Sequence, residues 1–226
     1  MAKRQAAEST VSEPEWRERV VARSLQAARS RAEERVQGLL DAAFELIDER
    51  GSTEFTVQEI VDRSEQSQRS FYEYFDGKDD LVLALFEETV NEAMREVESA
   101  VDDEADPLGR LRAFAVTLFR WCDPHESRSA DSAHRRRALS AFSTILAADH
   151  ADRVRTALRP QTRLLGSLVT AAAEAGAIGT TDSRRATAQV QLTVMYHAFG
   201  NRFAERPDQR LDAETTWQFC LRGLRG

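Results

Sequence analysis

The stretch Thr56–Leu81, TVQEIVDRSEQSQRSFYEYFDGKDDL, decides the reading of this chain. Two short helical patterns meet there at a polar break around Glu65-Gln66-Ser67. The first, about 57–63, sets Val57, Ile60 and Val61 on one side. The second, about 67–74, has Ser67 as its N-cap, with Ser70 three residues on in place of the stronger Glu or Gln partner. Phe71 and Phe75 anchor it inward. Gln68, Arg69, Ser70, Tyr72 and Tyr74 leave its other faces polar, and Lys78 follows a Gly turn. Two short helices around a turn, the second rich in hydrogen-bonding side chains, form a helix-turn-helix pattern. Double-stranded DNA is therefore the first partner to consider.

Outward from this stretch the chain reads as all-α. Gly and Pro are sparse, apolar residues recur every three or four positions, and no run alternates strictly. Upstream, Val36, Leu39, Leu40, Ala43, Phe44 and Ile47 form one stripe of a helix over about 33–49, with Gly51 as its left-handed cap. Pro14 suits a first helical position, and a helix begun there runs on through Trp16, Val20, Leu25 and Ala28. Residues 1–13 lack apolar periodicity and read as disordered. Downstream, helices are expected over about 79–101, 108–122, 132–148, 152–175, 183–206 and 212–224. Residues 123–131 read as a loop and Gly176 as a stop. The division expected is 1–30 as an N-terminal extension, partly disordered, 31–80 as the DNA-binding part and 81–226 as the remainder.

The 226 residues suffice for a sizeable core, and the formal net charge is −7. Residues 1–82 hold 12 Lys/Arg against 18 Asp/Glu, and residues 83–226 hold 19 against 20. The DNA-binding part is thus the more acidic, which excludes a general nucleic-acid coat and requires well-placed local contacts. Two cysteines, Cys122 and Cys220, are too few for a disulfide framework and fit a reduced compartment. No apolar run approaches the roughly 18–20 residues that span a bilayer, and the first residues lack the apolar core of a secretion signal. A cytoplasmic protein with no membrane partner is expected.

Residues 39–81 resemble the TetR family of bacterial transcriptional regulators. The residues that carry the resemblance are Ala42-Ala43, Leu46-Ile47, Gly51, Thr56-Val57, Ile60, Ser67, Phe71-Tyr72, Tyr74-Phe75, Lys78 and Leu81. The strong match covers about a fifth of the chain; the nine-helix count and the phrase EAGAIGTTD also look like the family. One departure lies at the turn, where the family commonly has Ala-Gly-Val and this chain has Ser64-Glu65-Gln66. Glycine commonly takes a left-handed conformation there, at a cost to any residue with a Cβ, so either Glu65 bears that strain or the turn is shaped differently. Gln66 also replaces an apolar anchor, which leaves the entry angle of the second helix open.

In a helix-turn-helix the second helix offers its N-terminal residues to base edges. Here those are Gln66, Gln68 and Arg69, with Ser67 and Ser70 nearby. Arg69 suits a guanine and Gln68 an adenine; otherwise these are solvated helix positions. Tyr72 and Tyr74 admit two readings, ring burial or a hydroxyl on phosphate, and the family pattern favours the second for Tyr72. Lys78 reads as a phosphate clamp or a surface lysine, and Thr56 as a helix cap or a phosphate contact. Arg29, Arg31 and Arg35 read either as an arm on DNA or as a solvated helix end.

The resemblance implies a homodimer built from the last two helices. The pairing faces would draw on Val190, Leu192, Val194, Ala198 and Phe199, then Trp217, Phe219 and Leu221. It also implies an effector pocket in the middle helices. Phe86, Phe114, Leu118 and Trp121 are candidates, with Phe142, Leu146, Leu168 and Met195, each of which reads equally as plain core. Together they favour an apolar or aromatic effector. Arg135-Arg136-Arg137 reads as a solvated run or as a site for an acidic ligand. No cofactor is expected. Two other classes stay open. One is an enzyme using Cys122 and His125, against which stand the lack of a phosphate loop, nucleophile elbow or zinc pattern. The other is a helical adaptor for proteins, against which stands the polar second helix.

Overall fold

The computed structural model describes residues 15–123, 125, 150–179 and 182–225. The expected helix over 132–148, with Phe142, Leu146 and Arg135–Arg137, lies outside them, as do residues 1–13. Among the described residues there are nine α-helices and no strand. They are α1 Glu15–Arg50, α2 Val57–Arg63, α3 Gln68–Tyr72, α4 Lys78–Asp102, α5 Pro107–Cys122, α6 Ala151–Ala157, α7 Arg159–Glu174, α8 Ser183–Gly200 and α9 Ala213–Arg225. The chain is all-α, as its periodicity requires.

Helix α1 is continuous over 36 residues. Ala, Arg, Glu, Gln and Leu dominate its first half, and each is a good helix former. Only its second half packs: Leu39, Ala43, Leu46 and Ile47 are buried. In the first half Trp16, Val20, Val21 and Leu25 are exposed. Gly51 ends the helix at φ 64°, and its N–H returns to the Ile47 carbonyl at 2.7 Å.

The core sits between layers. Helix α4 packs on α1 and, more extensively, on α5. Helix α5 is the hub, touching α4, α7, α8 and α9. It buries Leu111, Phe114, Leu118, Phe119 and Trp121. Asp106 caps it, accepting from the Leu108 and Gly109 N–H groups at 3.1 and 2.9 Å, and Pro107 takes the first helical position.

Two expected helices differ in length. The helix expected over 152–175 is divided at Leu158, because Pro160 has no N–H to return to Thr156. The helix expected over 183–206 ends at Gly200. There Asn201, 2% exposed, turns the chain. Its side-chain nitrogen donates to Asp123 and to the Leu211 carbonyl, both at 2.8 Å, and its oxygen accepts from the Leu211 N–H at 2.9 Å. One buried amide thereby ties the end of α5, the end of α8 and the approach to α9. No helix among the described residues is long and apolar enough to cross a membrane.

Candidate nucleic-acid interface

Helix α2 is fixed at both ends. Thr56 Oγ1 accepts from the Glu59 N–H at 3.2 Å, and Glu59 Oε2 accepts from the Thr56 N–H at 2.8 Å. This reciprocal capping satisfies two donors that a helix start leaves open. Arg50 of α1 also bonds Glu59. At the other end Arg63 grips Glu49 with two bonds, of 2.6 and 2.9 Å. The Arg50 and Thr56 bonds hold the Glu59 carboxyl down to about 2, and Arg63 lowers that of Glu49.

The turn keeps its left-handed residue without glycine. Glu65 has φ 55° and is the non-glycine residue with positive φ among those described. The helix end closes around it: the Ser64 N–H bonds the Ile60 carbonyl and the Gln66 N–H bonds the Val61 carbonyl, both at 2.9 Å. Gln66 then replaces an apolar anchor with a polar one. Its Nε2 donates to the Arg35 carbonyl of α1 at 2.8 Å, and its Oε1 accepts from Ser70 Oγ at 3.0 Å. Gly38 makes room: a Cβ there would lie 3.2 Å from Gln66 Nε2. The Gln66 side chain is thus turned toward α1, and it positions α3.

Helix α3 is held by Phe71, fully buried, and by Ser67, which caps it by accepting from the Ser70 N–H at 3.1 Å. Its outer face carries Gln68, Arg69 and Tyr72. Arg69 is 91% exposed, 3.5 Å from Glu73. The Tyr72 ring is 58% exposed and meets Phe71 edge-on at 5.3 Å. Gln68 donates to Gln58 Oε1 at 2.6 Å, and Gln58 donates to Asp62 at 2.6 Å. Gln58 thus joins this face from α2; its i,i+4 spacing to Asp62 is the trace it leaves in the sequence. Tyr74 is half-buried and packs on the core. Lys78 donates to the Thr53 carbonyl at 3.2 Å and lies over Phe55 at 5.8 Å, so it ties α4 to the loop after α1. Thr56 acts as a cap. A recess of about 310 Å³ is lined by Arg35, Glu65, Gln66, Ser67, Arg69, Ser70 and Glu73.

The later candidates separate by helix face. Val190, Val194, Ala198, Trp217 and Leu221 are buried in the subunit's own core. Phe199 is half-buried. The neighbouring positions are exposed: Leu192 at 55%, Tyr196 at 70% and Phe219 at 56%. The sequence pattern does not separate the two faces, because both α8 and α9 carry apolar residues on each. Phe86, Phe114, Leu118, Trp121 and Leu168 are buried and Met195 is half-buried beside Gln161. Cys122 is buried in α5, while the His125 ring lies 3.1 Å from the Asn201 carbonyl. Burial pushes the Cys220 thiol up to about 11, the opposite of an activated nucleophile. Among the described residues no group of three or more His, Cys, Asp or Glu is placed to hold a metal.

Residues 39–85 match the family described as bacterial regulatory proteins, tetR family. The HTH-type transcriptional regulator BetI of Brucella canis is 33% identical over 81 residues, which are 36% of this chain and 41% of that protein. The match therefore spans about two fifths of the relative's length. Two solved structures share the fold. FadR from Bacillus subtilis in complex with stearoyl-CoA has a TM-score of 0.64 at 19% identity, over 84% of this chain and 97% of that one. AibR in complex with isovaleryl coenzyme A and operator DNA has a TM-score of 0.61 at 19% identity, over 84% and 98%.

The strained turn predicts that Glu65→Gly stabilises the fold by about 0.5–1 kcal/mol, read from the denaturant midpoint at unchanged slope, since relief of the left-handed cost exceeds the added chain entropy. The capping box predicts an acid dependence. Glu59 ordinarily titrates near 4.5 and is held at about 2 in the fold. Its contribution is complete above the ordinary value and fades as pH falls toward 2. Glu59→Gln should flatten that part of the stability profile, and an unchanged acid limb would show that the bonds contribute nothing.

Proposed function

The chain belongs to the tetR family of bacterial regulatory proteins, and from that membership we propose a homodimeric transcriptional repressor that grips a palindromic operator and releases it on binding a small apolar effector. The carrying observation is the outer face of α3. Gln68, Arg69 and Tyr72 stand exposed on a helix whose inner side is locked by Phe71 and Gln66. Arg69 offers two donors to a guanine edge and Gln68 an amide to an adenine. Tyr72 offers a hydroxyl to phosphate, while Ser67 and Ser70 stand beside the same groove.

One such face reads too few base pairs to find a site in a genome, so two copies across a dyad are needed. Leu192, Tyr196, Phe199 and Phe219 supply an apolar surface suited to that pairing. The effector would enter among α4, α5, α7 and α8, which contribute Phe86, Phe114, Leu118 and Leu168 to the buried core. An effector with an apolar part is favoured by that lining, and two neighbours of this fold carry an acyl-coenzyme A. Effector binding shifts the population toward a state whose half-site spacing differs, by as much as its affinity differs between the two states. The path to DNA runs through α4. Arg153 of α6 bonds Asp80, in the first turn of α4, at 2.9 Å.

Two experiments test this reading. In a gel shift with DNA upstream of the protein's own gene, Arg69→Ala and Tyr72→Ala should each weaken binding about tenfold or more. Arg69→Ala should leave stability within about 0.5 kcal/mol, and Tyr72→Ala, which gives up the edge-on contact with Phe71, within about 1.5 kcal/mol. Wild-type affinity in both variants would remove α3 as the reading helix. Tyr196→Glu should convert the dimer to a monomer in sedimentation and lose operator binding; an unchanged dimer would place the pairing surface elsewhere.

A further inference from the structure

The reading helix sits in a module with little charge to spare for DNA. Residues 36–82 hold four Lys/Arg against 12 Asp/Glu. Three of the four are engaged within the fold, Arg50 with Glu59, Arg63 with Glu49 and Lys78 with the Thr53 carbonyl, and Arg69, exposed beside Glu73, is committed to the bases in the reading above. Phosphate neutralisation supplies much of the affinity of protein for duplex. It has to come from elsewhere on the chain. Residues 1–35 have the opposite balance, eight Lys/Arg against six Asp/Glu.

The described part of that segment is the first half of α1, and contacts of the second half fix its direction. Residues 45–50 of α1 hold α2 through Arg63 and Arg50. The Arg35 carbonyl holds Gln66, at the N-terminal end of α3. That end of α3 is the one a helix-turn-helix turns to the bases. Residues 34 back to 15 therefore continue past the DNA-facing end of the module. They reach about 30 Å at 1.5 Å per residue, roughly nine base-pair steps. Arg35 and Arg69 already line one recess, and Arg31 stands one helical turn beyond Arg35. Arg23, Arg31 and Arg35 are exposed, and no ion pair of theirs is seen among the described residues.

We propose that the first half of α1 is a second DNA-binding element, which lies along the backbone flanking the half-site and supplies through Arg23, Arg31 and Arg35 the phosphate contacts the helix-turn-helix lacks. This rests on the operator-binding reading above. It divides the labour between sequence, read by α3, and sequence-independent affinity, supplied by α1. The exposed Trp16, Val20 and Leu25 lie on the same extension and mark a different possible occupant, a second protein chain, which the test separates.

The test uses full-length protein and duplexes selected by it from a random library, made either trimmed to the enriched sequence or extended by ten base pairs on each side. Wild type should bind the extended duplex more tightly, by about tenfold or more at moderate salt. The combined variant Arg23→Ala, Arg31→Ala and Arg35→Ala should lose that gain. Its salt slope on the extended duplex should be shallower by about 2.7 per protomer, for three contacts at about 0.9 each. It should keep the wild-type preference for the selected sequence over scrambled DNA, whereas Arg69→Ala should lose the preference and keep the flanking gain. A triple variant with wild-type affinity and slope on the extended duplex overturns the proposal. So does a triple variant that binds DNA normally while Trp16→Ser with Leu25→Ser lowers the mass of the assembly, since the extension then docks protein. If wild type selects no sequence at all, the operator reading itself has failed.

Discussion

A helix of five residues has no stability of its own in water, because nucleation costs more than one turn of hydrogen bonds returns. Everything this chain can do with α3 depends on that constraint being met from outside. Phe71 meets it by burying its ring, and Ser67 meets it at the helix start. Gln66 meets it from the turn, with one bond to the α1 backbone and one to Ser70. The polar anchor has a geometric consequence that an apolar one lacks. Its bonds have preferred lengths and directions, so they set the position of α3 against α1 as well as holding it there. The space they need is left by Gly38.

The same module shows how an acidic surface is kept folded and still offered to a polyanion. Its arginines are spent internally: Arg50 and Arg63 clamp α1 to α2, and each draws a carboxylate into a bonded pair. Such exposed pairs contribute little individually, but they fix the angle between helices and cancel charge locally. What remains for a nucleic acid is a short row of directional groups on α3. This arrangement favours recognition by few contacts over general attraction, and it makes the flanking cations of α1 matter more than their number suggests.

Much of this was legible in the residues. The helix periods, the Gly51 cap and the Ser67 cap follow from local chemistry, and local chemistry is what a sequence displays. At Glu65 the residues left two readings, a strained left-handed residue or a turn of another shape, and its φ of 55° decides for the first. What was not legible depends on partners distant in sequence. Gln66 looks like a base reader until the Arg35 carbonyl, 31 positions away, is seen to take its amide. Lys78 reads as a surface cation before α4, and only the fold shows one of its donors reaching the Thr53 carbonyl, 25 positions away. On α8, Val194 and Leu192 are equally apolar, and only packing against α5 and α9 shows which one is buried. The division of the long helix before α8 required only Pro160, which was present to be read.

The claim on which all else rests is that α3 reads duplex DNA as one half of a symmetric pair. Its most direct measurement is sequencing of the duplexes that the full-length protein retains from a random library through successive rounds. An inverted repeat should be enriched, with half-site centres about one helical turn or a multiple of it apart. Enrichment of no sequence, or of a single unrepeated element, would contradict it.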